Sequence, residues 1–183
     1  MKILYPVKKH ESFNENIDRI LPMMFDKMMD YKDRVIGHPR LKTQLHRMRI
    51  TGKPMRYIME IMEPYLGKDF GICLQEIKKI IELMGDIHDN DVFISELREY
   101  LSEIRKFNRL KQDKHDKFVT VGLIKLIAEL KIKRSKDYET LCEILNSWQK
   151  EDFLKKLTNS LLKNKVNEIN FFKPFQKKGR KIF

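Results

Sequence analysis

Leu45-His46-Arg47-Met48-Arg49-Ile50-Thr51-Gly52-Lys53-Pro54-Met55-Arg56-Tyr57 is the stretch that decides the fold of this chain. As an α-helix it places four basic side chains at i, i+3, i+7 and i+10, within an arc of roughly 80°. These are His46, Arg49, Lys53 and Arg56, and Lys42 joins them one turn earlier. The apolar residues lie on a different face: Leu41, Leu45, Met48, Met55, Met59 and Met62. The pattern predicts an amphipathic helix with cations along one flank.

No acidic residue accompanies this basic row, since residues 41–59 contain neither Asp nor Glu. No carboxylate four residues away therefore neutralises the row within that window. Unpaired like charges at this spacing destabilise a helix, which indicates that a partner supplies the negative charge. A solvated surface face is the alternative interpretation, and the pattern alone leaves both open.

The whole chain is basic as well. Its 183 residues have a formal net charge of +12, with 42% hydrophobic and 35% charged residues. This composition predicts one globular domain whose partners are polyanions such as nucleic acid, anionic lipid or polyphosphate. Residues 163–183 contribute half of the charge, because seven Lys or Arg accompany one Glu there. The arrangement of the remaining charge decides whether the body has an anion site.

The two cysteines, Cys73 and Cys142, lie in apolar helical patterns. This predicts core residues rather than a disulfide or a ligand pair. The N-terminal sequence has no signal-peptide pattern, and no apolar run reaches the ~18 residues of a membrane span. We therefore expect a cytoplasmic protein.

The 3.6-residue period recurs along most of the chain and predicts an all-α bundle of about six or seven helices. The first is expected over residues 14–35, with an irregularity at Pro22. The second is expected over residues 40–65, with a kink at Gly52 and Pro54. A third, over residues 69–84, has Lys78 at the edge of its apolar face and is expected to stop at Gly85.

A fourth helix is predicted to follow a turn at residues 85–92, with Asp89 or Asp91 as its N-cap. It separates its charges into a basic and an acidic flank: Arg98, Arg105 and Arg109 against Glu96, Glu99 and Glu103. Later helices are predicted over residues 114–131, 136–145 and 151–166. The chain is thus divided into a helical domain, residues 1–166, and a basic, Phe-containing tail, residues 167–183.

Two spaced motifs stand out in this pattern. The first is His46-x-x-Arg49-x-x-x-Lys53-x-x-Arg56, and the second is Gly85-x-x-His88-Asp89-x-Asp91-Val92. Together they resemble the CHAD family, named as a histidine-containing α-helical domain. The resemblance implies two four-helix halves around a basic cavity that binds inorganic polyphosphate. Combined with the basic rows, it gives nine expected polyphosphate-binding residues: Lys42, His46, Arg49, Lys53, Arg56, Lys78, Arg98, Arg105 and Arg109.

The chain also departs from the family pattern. Met84 replaces the usual Leu, His88 the usual Arg, and Pro54 a common Arg or Lys. The last two changes remove charge from the expected site. A full domain has a second His-Arg motif in its C-terminal half, whereas here His115 is followed three residues later by Phe118. The resemblance covers residues 14–130 well, with one recognisable motif-bearing half.

These features predict non-enzymatic binding of polyphosphate, with no cofactor. His88 with Asp89 and Asp91 suggests a metal site, but helix capping is the preferred interpretation because no third liganding cluster is nearby. Two alternatives stay open. The first is that the chain is an RNA- or DNA-binding helical protein. The second is that it is a histidine phosphotransfer bundle that accepts a phosphoryl group on His46.

The state of assembly is open too. In one hypothesis, residues 114–166 form a degenerate second half within a monomer. In the other, two chains pair about a two-fold axis so that both basic helices face one channel. We expect the homodimer, because a one-sided basic stripe leaves an open groove.

Overall fold

The computed structural model describes residues 6–113 and 115–162, and every regular element in these ranges is helical. Six α-helices follow one another: α1 (Phe13–Met29), α2 (Lys32–Val35), α3 (Lys42–Met62), α4 (Lys68–Leu110), α5 (Val121–Lys150) and α6 (Phe153–Leu162), with a 3-10 turn at Glu63–Tyr65. The all-α prediction is confirmed. Because α2 has only four residues, the described ranges contain five substantial helices, fewer than the six or seven predicted.

A capping box starts α1. The amide of Glu15 donates to Ser12 Oγ at 3.2 Å, and the amide of Ser12 donates to Glu15 Oε2 at 2.7 Å. The helix continues through Pro22 and ends at Met29, and α2 follows as a separate turn. Gly37 then adopts a positive φ of 78°, a conformation that favours glycine, and leads the chain toward α3.

The break predicted at Gly85 is wrong. α4 runs uninterrupted for 43 residues, so Asp89 and Asp91 lie inside a helix instead of capping one. A glycine inside a helix costs about 1 kcal/mol. Burial of one continuous apolar side outweighs this cost, since four side chains around Gly85 are fully buried: Ile77, Ile81, Met84 and Ile87.

One helix, α5, also replaces the two that were predicted over residues 114–131 and 136–145. Two side chains near the expected gap anchor it to the end of α2 and to the loop before α3. Arg134 Nη2 donates to the Pro39 carbonyl at 2.6 Å, and the Tyr138 hydroxyl donates to the Val35 carbonyl at 2.6 Å. These contacts hold the middle of α5 against the body.

The main core joins α1, α3, the first half of α4, the end of α5 and α6. Where α5 ends and α6 begins, the Trp148 and Phe153 rings stack with their centroids 4.3 Å apart.

Cys73 is buried and Cys142 half-buried, and both are free thiols, as predicted. Among the described helices, none has the length and apolar character needed to cross a bilayer.

The distal arm, which we define as residues 93–133, extends beyond this core. It consists of the end of α4, a connecting loop and the start of α5. Its own small cluster uses side chains of these two helices alone: Ile94, Leu101 and Ile127, with Leu97, Leu123 and Leu130 packed against them. At 1.5 Å per residue, the α4 part of the arm is about 27 Å long.

The predicted tail, residues 167–183, lies outside the described residues. So does the last part of the final predicted helix, beyond residue 162. The boundary predicted between residues 166 and 167 therefore stays a prediction.

Candidate anion-binding site

The basic row lies on α3, as the opening stretch of sequence predicts. Five of the six predicted apolar residues are buried: Leu45, Met48, Met55, Met59 and Met62. The helix is continuous through Gly52 and Pro54. Gly52 is required by packing, because a Cβ there would lie 2.5 Å from Ile81 Cδ1 and 2.6 Å from Met28 Sδ. At Gly52 the backbone of α3 therefore packs closely against side chains of α1 and α4, and the basic flank of α3 faces outward.

His46 of α3 meets His88 of α4. Their ring centroids are 4.9 Å apart and the rings are tilted by 41°. Burial lowers the pKa of His46 below its ordinary value of 6.5, and positive charge on His88, Arg49 and Lys53 lowers it further. Burial and the neighbouring cations therefore disfavour protonation of His46 in the free protein.

Arg49 crosses the backbone of α4 at Gly85. A Cβ added to Gly85 would lie 3.4 Å from Arg49 Nε and 3.6 Å from Nη2. The second motif thus supplies a flat surface for a guanidinium, rather than the turn that was predicted. Gly85 and His88 lie at i and i+3 on one face of α4, where both meet α3.

Two nitrogen atoms of this cluster are buried without a hydrogen-bond partner among the described residues: His46 Nδ1 and Arg49 Nε. A buried donor or acceptor left unpaired costs about 1–3 kcal/mol, and more when it is charged. Arg49 and Lys53 also form no ion pair with any described carboxylate. Within the described ranges, the cluster of His46, Arg49 and Lys53 therefore has no carboxylate that balances its charge.

Beside the two histidines lies an open cleft of about 500 Å³ between α3 and α4. Eight residues line it: Lys42, Thr43, His46, His88, Asp91, Val92, Ser95 and Glu96. None of them is Phe, Tyr or Trp. Its walls therefore offer charge, hydrogen bonds and the imidazoles of His46 and His88, but none of the larger aromatic rings on which a base usually stacks.

Asp91 in the wall of the cleft links three helices. Its Oδ1 lies 3.3 Å from Lys42 Nζ on α3 and 3.2 Å from Arg134 Nε on α5, and its Oδ2 accepts from Arg134 Nη2 at 3.3 Å. The local sequence pattern does not identify Arg134, because nothing in it shows that α5 crosses α4 at this level. Lys42 is thus at the predicted site, with its charge partly balanced.

The other end of the basic row is neutralised. Arg56 Nε donates to Glu60 Oε1 at 2.9 Å, and Arg56 Nη1 donates to Glu82 Oε1 at 3.3 Å. Lys78 Nζ lies 3.6 Å from Glu60 and 4.0 Å from Glu63. Glu60 follows the acid-free window by one residue. Arg56 and Lys78 therefore carry balanced charge, unlike Arg49 and Lys53.

The second predicted basic row is separate from the cleft. Arg98, Arg105 and Arg109 lie on the distal arm, beyond His88 on α4. At 1.5 Å per residue their Cα atoms are about 15, 26 and 32 Å along the helix from that of His88. The structure does not bring them together with the α3 row.

The described residues contain no group of three or more His, Cys, Asp or Glu side chains placed to hold a metal ion. His88 and Asp91 both line the cleft, and the carboxylate of Asp91 is engaged by Lys42 and Arg134.

A comparison with protein families matches residues 6–98 to the family model described as the CHAD domain. No curated protein and no solved structure gives a significant match. The matched range contains α1, α3 and the part of α4 that lines the cleft, and it ends within the distal arm.

Proposed function

The chain belongs to the CHAD domain family, and from this premise we propose that it binds inorganic polyphosphate through the His46–Arg49–Lys53 cluster. We further propose that it acts by binding alone, in the cytoplasm. The free thiols of Cys73 and Cys142 are compatible with a reducing compartment.

The observation that carries this proposal is the unsatisfied charge of the cluster. Arg49 Nε and His46 Nδ1 are buried and have no described partner, whereas Arg56 pairs with two glutamates and Lys42 with Asp91. A phosphate oxygen is an acceptor that satisfies a guanidinium in charge-assisted geometry. Bound anion also favours the protonated imidazole of His46, which then becomes a second cationic donor.

The shape of the site suits a chain of phosphates. Polyphosphate has about one negative charge per internal phosphate and no bases. The row from Lys53 through Arg49 to His46 continues along α3 into the open cleft beside His88, so it extends in one direction. Because the cleft walls have no Phe, Tyr or Trp, they favour bare phosphates over single-stranded nucleic acid.

The direct test is a binding isotherm for long-chain polyphosphate, with single-stranded DNA of equal charge as competitor. The variant Arg49→Gln/Lys53→Gln removes the two unpaired cations, and Arg56→Gln/Lys78→Gln removes two paired cations as the matched control. We expect the first to lose at least about tenfold in affinity, since hydrogen bonds to charged groups contribute about 1.5–3 kcal/mol each. The control should lose less than about threefold.

Salt dependence gives a second readout. Each engaged cation contributes roughly −0.7 to the slope of log K against log salt for a single-stranded polyanion. Replacing Arg49 and Lys53 should therefore make the slope shallower by about 1.4. Equal losses in the two variants would show that the charge acts diffusely, which contradicts a defined site.

Other outcomes identify the alternatives. DNA that competes as strongly as polyphosphate would favour a nucleic-acid-binding protein. Acid-labile phosphate on His46, after incubation with a phosphorylated receiver domain, would favour a phosphotransfer bundle.

A further inference from the structure

The end of the distal arm exposes a group of large hydrophobic side chains. Val119 is 86% exposed, Leu110 82%, Val121 71% and Phe118 60%. We call these four residues the apolar tip. They occupy the end of α4, the connecting loop and the first residue of α5, so they lie at the point of the arm farthest from the main core.

The loop is held in place by hydrogen bonds. Asn108 Nδ2 donates to the Phe118 carbonyl, and the Phe118 amide donates to Asn108 Oδ1, both at 2.9 Å. The Phe107 and Phe118 ring centroids are 5.2 Å apart, and Lys111 Nζ lies 5.0 Å from the Phe107 centroid. These contacts present Val119 and Leu110 to solvent, although both are hydrophobic.

The sequence around the tip is strongly cationic. Residues 105–121 contain six Lys or Arg and two Asp, a formal charge of +4. Arg109 and Lys111 flank Leu110, and Lys117 precedes Phe118. Among the described residues, none of these three cations forms an ion pair with a carboxylate. Apolar and cationic groups therefore alternate at the same end of the arm.

We propose that the apolar tip docks on an anionic membrane surface. Leu110, Phe118, Val119 and Val121 enter the boundary between headgroups and acyl chains, and the neighbouring Lys and Arg contact acidic headgroups. This combination of exposed apolar side chains and basic residues is the one that binds the interface of acidic bilayers.

Charge and shape favour an anionic membrane over a protein as the partner of the apolar tip. A stable protein interface needs about 800 Å² per partner, whereas the tip is the narrow end of a two-helix arm. Two tips packed against each other would bring like charges together. A bilayer needs no matching pocket, and its acidic lipids supply the opposite charge. The tip is also about 33 Å along α4 from His88, so the polyphosphate cluster stays outside the membrane.

Vesicle flotation tests the proposal. The full chain is mixed with vesicles of phosphatidylcholine alone or with about one third phosphatidylserine. We expect binding to the acidic vesicles, and a loss of about tenfold or more in Leu110→Ser/Val119→Ser because buried apolar area is removed. Arg109→Gln/Lys111→Gln should lose about fivefold for each cation replaced. The control Val7→Ser/Ile61→Ser, which changes two exposed hydrophobic residues of the body, should bind like the wild type.

A second measurement reports insertion directly. In Val119→Trp, the new indole should show a blue-shifted emission on acidic vesicles, while Trp148 is 4% exposed and gives a constant background. Failure of the wild type to bind acidic vesicles would overturn the proposal. So would equal binding by Leu110→Ser/Val119→Ser, or self-association in solution that this variant abolishes.

The polyphosphate site does not confound this test. Arg49→Gln/Lys53→Gln should still bind acidic vesicles, and Leu110→Ser/Val119→Ser should still bind polyphosphate. If the first variant lost vesicle binding while the tip variant kept it, the α3 cluster would be the lipid contact and the tip would have no such role.

Discussion

The guanidinium of Arg49 lies against the bare backbone of Gly85, with Nε 3.4 Å from the position that a Cβ would occupy. A helix residue without a side chain therefore lets a charged group of the neighbouring helix pass over it. The first motif supplies the cation and the second supplies the surface beneath it. Arg49 of the first motif and Gly85 of the second are thus in direct contact, although α4 has no turn at Gly85.

Substitutions at Gly85 should separate stability from binding. In Gly85→Ala the added Cβ makes an ordinary contact with Arg49, and the better helix propensity should raise the free energy of unfolding by about 1 kcal/mol. In Gly85→Val the added methyl groups should displace Arg49 and lower polyphosphate affinity severalfold. Urea denaturation and binding isotherms measure the two effects. Unchanged affinity in Gly85→Val would show that the position of Arg49 is irrelevant.

Gly52 provides the matched control for this contact. A Cβ there would lie within 2.6 Å of two core side chains, Ile81 and Met28. Overpacking in Gly52→Ala should cost about 1–3 kcal/mol, which outweighs the gain of up to about 1 kcal/mol in helix propensity, so the free energy of unfolding should fall. The folded fraction should keep its polyphosphate affinity, because no side chain of the cluster is touched.

The sequence allows prediction of the features that depend on local period and residue type. The amphipathic pattern of α3, with its buried methionines and basic flank, follows from spacing alone. The pairing of Arg56 with Glu82 does not, because the carboxylate comes from another helix. The continuity of α4 does not follow from spacing either, since glycine's local preference for ending a helix is outweighed by tertiary packing that sequence spacing does not reveal.

Asp91→Asn should lower stability and leave binding intact. The buried carboxylate holds Lys42 and Arg134, so its loss leaves both cations without their charge partner. Breaking a largely buried pair costs about 3 kcal/mol, which lowers Tm by about 6–12 °C for a chain of this size. Because the cleft becomes more positive, polyphosphate affinity should rise or stay unchanged. A fall in affinity at a temperature where the variant is folded would instead indicate that Asp91 positions the ligand groups.

The distal arm should be less stable than the body. Leu101 packs in a small cluster supplied by two helices, whereas Leu74 is fully buried in the main core. Leu74→Ala should cost about 2–5 kcal/mol and Leu101→Ala less than about 2 kcal/mol. Hydrogen exchange should be faster at the amides of residues 96–108 than at those of 73–87. Equal protection of the two ranges would mean that the arm is covered in solution.

Pairing of two chains stays a prediction and is tested by light scattering. Two cationic rows that face each other repel, so the dimer should be weak alone and strengthened by polyphosphate that bridges both copies. The expected result is a mass near 22.1 kDa without ligand and about twice that value with it. A mass that stays at one chain, with tight 1:1 binding, would show that one cleft suffices.

Polyphosphate binding and folding should respond to pH in opposite directions. Burial, assisted by His88, Arg49 and Lys53, places the pKa of His46 in the free folded protein below its ordinary value of 6.5. The unfolded chain therefore binds this proton more readily, and stability falls as the pH drops below about 6.5, until the pH passes the pKa of the folded state.

Bound phosphate has the opposite effect on the same group, because negative charge favours the protonated imidazole. Affinity should therefore rise as the pH falls from 8 toward 5.5. The other charged groups that face His46 are His88, Arg49 and Lys53, and Asp91 is engaged by Lys42 and Arg134. Isotherms with long chains, whose titrating end groups are few, measure the effect, and His46→Gln should flatten the pH profile. A profile that is equally steep in His46→Gln would assign the linkage to His88, which the variant His88→Gln then tests.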